Sequence, residues 1–98
     1  MHPVLMDGYA STIRVHLRAQ GLNHLETLRR GTHVVIYSRD PDGSKVNRAR
    51  LTWLHGRTFA LGIAEPNGRW AATGETGTVD ALLATLMERF NFILADWL

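Results

Sequence analysis

Asp40-Pro41-Asp42-Gly43 and Glu65-Pro66-Asn67-Gly68 repeat one pattern, acid–Pro–Asx–Gly, between short apolar or alternating runs. Proline pre-sets the backbone angle of the first turn position, Asp or Asn suits the second, and glycine accepts the left-handed conformation that follows. Both tetrapeptides therefore read as hairpin turns, and the middle of the chain reads as an antiparallel sheet. Four strands follow outward from them, within residues 32–38, 45–55, 58–64 and 69–74. The first is Thr32-His33-Val34-Val35-Ile36-Tyr37-Ser38, rich in the β-branched residues that suit a pleated surface.

Helical spacing flanks this block. Tyr9, Ile13 and Leu17 fall at i, i+4 and i+8, which predicts an amphipathic helix over about residues 7–20. Gly21 is placed to close it in a left-handed cap, with Leu22 folding back. Residues 22–31 fit two readings. Leu22, Leu25 and Leu28 suit a short helix, whereas Leu28-Arg29-Arg30-Gly31 suits the start of a strand with a bulge at the glycine. Thr78 reads as a helix N-cap and Asp80 as a first-turn acid. Val79, Leu82, Leu83, Leu86, Phe90, Ile93, Leu94 and Trp97 continue at helical spacing, with Asn91 as a point where the helix can break. The expected fold is α+β, in the order α-β-β-β-β-α. It is one domain over residues 1–98, with a four-stranded antiparallel meander and both helices on one face. This order is related to that of double-stranded-RNA-binding domains, which have three strands. Gly77-Thr78-Val79-Asp80 lacks the lysine cluster those domains use on phosphates, and that family is not assigned.

The turns also set the register. A type I turn with a glycine bulge places Asp40 opposite Ser44. Counting back pairs Tyr37 with Asn47, Ile36 with Arg48, Val35 with Ala49, Val34 with Arg50, and His33 with Leu51. The second turn pairs Ala64 with Trp70, Ile63 with Ala71, and Gly62 with Ala72. Between them, a three-residue loop at His55-Gly56-Arg57 sets Leu54 against Thr58, Trp53 against Phe59 and Leu51 against Leu61. A two-residue loop would place Phe59 across from Thr52 and Leu61 across from Arg50, with every side chain on the wrong face. One face is then Val35, Tyr37, Ala49, Leu51, Trp53, Phe59, Leu61, Ile63 and Ala71, the expected core. The other carries Val34, Ile36, Arg48, Arg50, Gly62, Ala64 and Trp70. On it the small Ala64 would let Arg48 lean onto the indole of Trp70.

Composition narrows the chemistry. The 98 residues contain no cysteine, so disulfides and thiol chemistry are excluded. No apolar run approaches the ~20 residues of a transmembrane helix. No signal peptide is visible at the N-terminus, and the expectation is a cytoplasmic protein without membrane contact. Eleven Lys and Arg face nine Asp and Glu, a net charge of +2. Residues 1–50 hold eight basic and four acidic residues, and the remainder three and five. The five histidines show no helical metal spacing. Gly74-Glu75-Thr76-Gly77-Thr78 lacks the lysine and spacing of a phosphate loop, and no serine has a nucleophile-elbow context. No cofactor, metal or catalytic residue is therefore expected, and the chain reads as a non-enzymatic binding module. Its expected binding surface is the face of Val34, Ile36, Arg48, Arg50, Gly62, Ala64 and Trp70. The expected occupant is a protein partner or a second copy forming a homodimer. The alternative is nucleic acid, with Arg48 and Arg50 on phosphates and Trp70 under a base.

Overall fold

The structure is a computed structural model and describes residues 3–95. Trp97 of the predicted apolar stripe and His2 lie outside the described residues. Helix α1 is Pro3–Ala19, followed by strands β1 (Glu26–Arg30), β2 (His33–Arg39), β3 (Lys45–His55), β4 (Thr58–Ala64) and β5 (Trp70–Gly77). Helix α2 (Val79–Arg89) and a single turn, α3 (Asn91–Leu94), close the chain. All strands are antiparallel in the order β1-β2-β3-β4-β5. The α+β class and the antiparallel meander stand, but four strands and two helices are corrected to five strands and three helical segments among the described residues.

The added strand comes from the stretch with two readings. Leu25 is fully buried, yet Thr27 and Arg29, which point the same way, are polar. They are held by α1 rather than by apolar packing. Thr27 Oγ1 donates to the Ala10 carbonyl at 2.9 Å, and Arg29 Nε donates to Asp7 Oδ1 at 2.7 Å. Hydrophobic alternation is therefore absent from β1. Gly31, at φ +58°, opens a two-residue turn that sets Arg30 opposite His33. The predicted bulge at this glycine is thus a tight hairpin turn.

Helix α1 begins at Pro3, before the predicted start, and proline suits a first helical turn because its missing N–H is unneeded there. It ends as expected. Gly21 sits at φ +79°, its N–H reaches the Arg18 carbonyl, and Leu22 N–H reaches Leu17 O at 3.0 Å. Arg18 then ties this corner to β1 through the Leu25 carbonyl and Glu26. The Thr78 hydroxyl caps α2 by accepting from Ala81 N–H at 3.2 Å. Phe90, at φ −125° and ψ 29°, interrupts the helix one residue before Asn91, so the stripe continues as the separate turn α3.

Both acid–Pro–Asx–Gly turns form as read. Asp40 N–H donates to Ser44 O and Glu65 N–H to Arg69 O, each at 2.9 Å, with Gly43 and Gly68 at φ +87° and +84°. Tyr37 lies opposite Asn47 as predicted, but Ile36 lies opposite Ala49, so Arg48 is an extra residue in a β-bulge. Beyond it the pairs are Val35–Arg50, Val34–Leu51 and His33–Thr52. This corrects the predicted β2 register by one residue, and with it the assignment of faces on β2. The β3–β4 register stands from Ala49–Ile63 to Trp53–Phe59, but the connection is Gly56-Arg57, with Leu54 as a second bulge between Trp53 and His55. A two-residue loop and a bulge together count as the predicted three-residue loop does. β5 pairs with β4 as predicted at Ala64–Trp70, Ile63–Ala71 and Gly62–Ala72. It bulges near Gly74, at φ +81°, and continues to Gly77.

The core lies between the sheet and both main helices. Met6, Ile13 and Leu17 of α1 and Val79, Leu82, Leu83 and Leu86 of α2 pack on Val34, Ile36, Ala49, Leu51, Phe59 and Leu61. Tyr9 meets Phe59 edge-on, ring centroids 4.9 Å apart. Each fully buried side chain of this size contributes ~1.5–3 kcal/mol. The sheet face away from the helices is left without a covering element among the described residues.

Candidate functional site

The β3 bulge decides what that open face carries. A bulge places two residues against one on the partner strand. It turns Arg48 toward the helices and leaves Asn47 and Arg50 both on the open side. Arg48 is 3% exposed. Its Nη1 donates to the carbonyls of Ile93 at 2.9 Å and Ala95 at 2.6 Å, and its Nη2 to the hydroxyl of the buried Ser38 at 2.8 Å. His24 Nε2 meets the carbonyl between them, Leu94 O, at 2.7 Å. Arg48 is therefore a cap on the last helical turn. Val34 and Ile36 belong to the core. The predicted placement of these three on the open face is corrected. Arg50, Gly62, Ala64 and Trp70 do lie there.

Arg50 takes the position foreseen for Arg48. Its guanidinium lies 4.8 Å from the centroid of the Trp70 ring. The small residue it crosses is Gly62, which pairs with Arg50 on one side and Ala72 on the other. A Cβ at Gly62 would stand 3.5 Å from Arg50 Cγ, in ordinary contact, so the side chain already lies flat over this glycine. Such a stack contributes ~0.5–2 kcal/mol, rising as it is desolvated. It also fixes two planar groups side by side on a rigid strand pair.

Around this stack the open face is cationic. Arg30 and His33 face each other across the first hairpin, and Arg39 faces Lys45 across the second. The Tyr37 ring lies beneath both Arg39 and Lys45, at 5.6 and 5.5 Å. Glu26 pairs with Tyr37 in register, but its carboxylate reaches around the sheet edge to Arg18 at 2.5 Å and Arg14 at 3.5 Å. Its charge is thereby matched by helix α1 rather than by the face. Arg30, His33, Lys45, Asn47, Arg50 and Trp70 surround a hollow of about 290 Å³. The His33 ring is oriented by Thr52, with Nδ1 and Oγ1 2.7 Å apart. Burial, and secondarily the charge of Arg50, hold His33 below its ordinary value of 6.5.

Sequence reasoning missed Arg30, His33, Tyr37, Lys45 and Asn47 as members of this face. A signal for the bulge does exist. Val46 falls out of phase with Ala49, Leu51 and Trp53 in an otherwise two-residue alternation. In the structure Val46 opposes Ser38 on the helix side, so one extra residue must stand between the two phases. Among the described residues no cluster of His, Asp or Glu could hold a metal ion, and no helix is long and apolar enough to cross a membrane. No protein family, curated protein or solved structure matches this chain.

Proposed function

We propose that the open sheet face binds single-stranded nucleic acid, with the Arg50–Trp70 stack as a platform for a base and the surrounding cations on phosphates. The observation that carries this reading is the stack itself, placed over Gly62 beside a hollow that Arg30, His33 and Lys45 also line. A base can stack on an aromatic ring or on a guanidinium plane, and basic groups beside it track the backbone. Shape favours a single strand. A duplex groove admits a helix or a two-stranded ribbon, whereas a five-stranded sheet is about 20 Å across at its ordinary strand spacing.

The test is titration of a labelled oligothymidylate at low salt. Binding through about three phosphates gives a slope of log affinity on log salt near −2. Trp70→Ala should weaken binding on the order of tenfold, the cost of one lost base stack. Arg50→Ala should weaken it and make the salt slope shallower by about one contact. No binding at low salt overturns the reading.

A second reading, a protein partner or a homodimer on the same face, is supported by the small residues Ala60, Gly62 and Ala64 beside Trp70. They permit close approach to residue types that anchor interfaces. Sedimentation at high micromolar concentration tests self-association. A salt-insensitive dimer dispersed by Trp70→Glu supports it, and a monomer removes it.

A further inference from the structure

We propose that the hollow between Arg30, His33, Lys45, Asn47, Arg50 and Trp70 is a phosphate subsite. It holds the phosphodiester next to the base on the Arg50–Trp70 platform and takes up a proton at His33 as it fills. This rests on the nucleic-acid reading above. Four of the strands supply the walls: Arg30 from β1, His33 from β2, Lys45, Asn47 and Arg50 from β3, and Trp70 from β5. Its volume of about 290 Å³ is several times the ~30 Å³ share of one water, so a hydrated phosphodiester fits. Arginines from two strands supply the paired donors that suit phosphate oxygens. Asn47 adds an uncharged donor.

His33 is the part of this wall that can change charge. Thr52 Oγ1 fixes the ring through Nδ1, which leaves Nε2 as the ring nitrogen for a ligand. The groups around the ring are Arg30 from β1 and Arg50 and Thr52 from β3, with Lys45 at the far end of the hollow opposite Arg39, while both helices pack on the other side of the sheet. In the free protein, burial and then Arg50 disfavour the imidazolium. An anion between Arg30 and Arg50 offsets that repulsion and favours it. Binding therefore takes up protons wherever the bound ring is protonated and the free ring is not. Affinity must rise as pH falls through this window, and level off below the pKa of the free ring.

Oligothymidylate affinity, measured at fixed salt between about pH 8 and pH 5, reads this directly, because neither thymine nor the phosphodiester titrates there. The expected gain on acidification is on the order of tenfold, one proton across about one pH unit. His33→Gln should flatten the profile. The His33 ring resonance of the wild-type protein supplies an independent readout, and its titration midpoint should rise when oligothymidylate is added. Binding with the same pH profile in His33→Gln, or an unmoved midpoint in the wild type, overturns the subsite and leaves the base platform standing. No binding at any pH overturns both.

Discussion

Phe59→Ala should cost about 3–5 kcal/mol of folding stability, the range for an aromatic deleted from a packed core. Phe59 is fully buried on the helix side of β4, and the Tyr9 ring rests on it edge-on at 4.9 Å. Its removal opens a cavity where α1, α2 and the sheet meet, and flanking strands cannot collapse into it without losing register. A domain of this size has a total stability of only about 5–15 kcal/mol. The variant should therefore unfold at a much lower urea concentration, with the slope of the transition unchanged. Ile63→Ala, on the same strand and face but only half-buried, should cost far less. A loss below about 1 kcal/mol for Phe59→Ala would mean that the helix-covered face is not the core.

How far the residues themselves disclose this fold depends on the strand. β4 was legible because Phe59, Leu61 and Ile63 alternate with Thr58, Ala60, Gly62 and Ala64, and only one register buries the large set. β2 was not. Val34 and Ile36 on one side and Val35 and Tyr37 on the other are all apolar, so either parity satisfies a hydrophobic count. The register of β2 then rested wholly on counting from the Asp40–Gly43 turn. Such a count holds up to Tyr37–Asn47 and no further, because the bulge intervenes at Arg48. β1 was obscured differently, since its inward Thr27 and Arg29 are held by polar bonds to α1. The centre of the candidate site is legible in the sequence all the same. Arg50, Gly62, Ala64 and Trp70 depend on the β3–β4 and β4–β5 registers, which the large side chains and the second turn set independently of β2. Arg30 and His33 depend on β1 and β2, and they were missed.

Arg48→Met should lower stability by about 2–4 kcal/mol and shift the melting temperature by about 10 °C or more, since 1 kcal/mol corresponds to about 4–8 °C for a domain of this length. The residue is 3% exposed, and its guanidinium serves the Ile93 and Ala95 carbonyls and the Ser38 hydroxyl. A buried polar group that loses its partner costs ~1–3 kcal/mol. The two carbonyls recover part of that if the last turn swings out to water, but α3 then withdraws Ile93 and Leu94 from the core. Methionine keeps most of the volume, so the loss reports on hydrogen bonding more than on a cavity. Arg50→Met is the matched control. Its guanidinium lies on an open face, and losing the stack on Trp70 should cost about 1 kcal/mol or less. Differential scanning calorimetry on the two variants ranks them, and oligothymidylate binding below both transitions should rank them in reverse. Arg48→Met, once folded, keeps the open face intact, whereas Arg50→Met loses one phosphate contact and half of the platform. Equal melting temperatures would place both arginines on the surface and remove the bulge at Arg48, and with it the assignment of Val34 and Ile36 to the core.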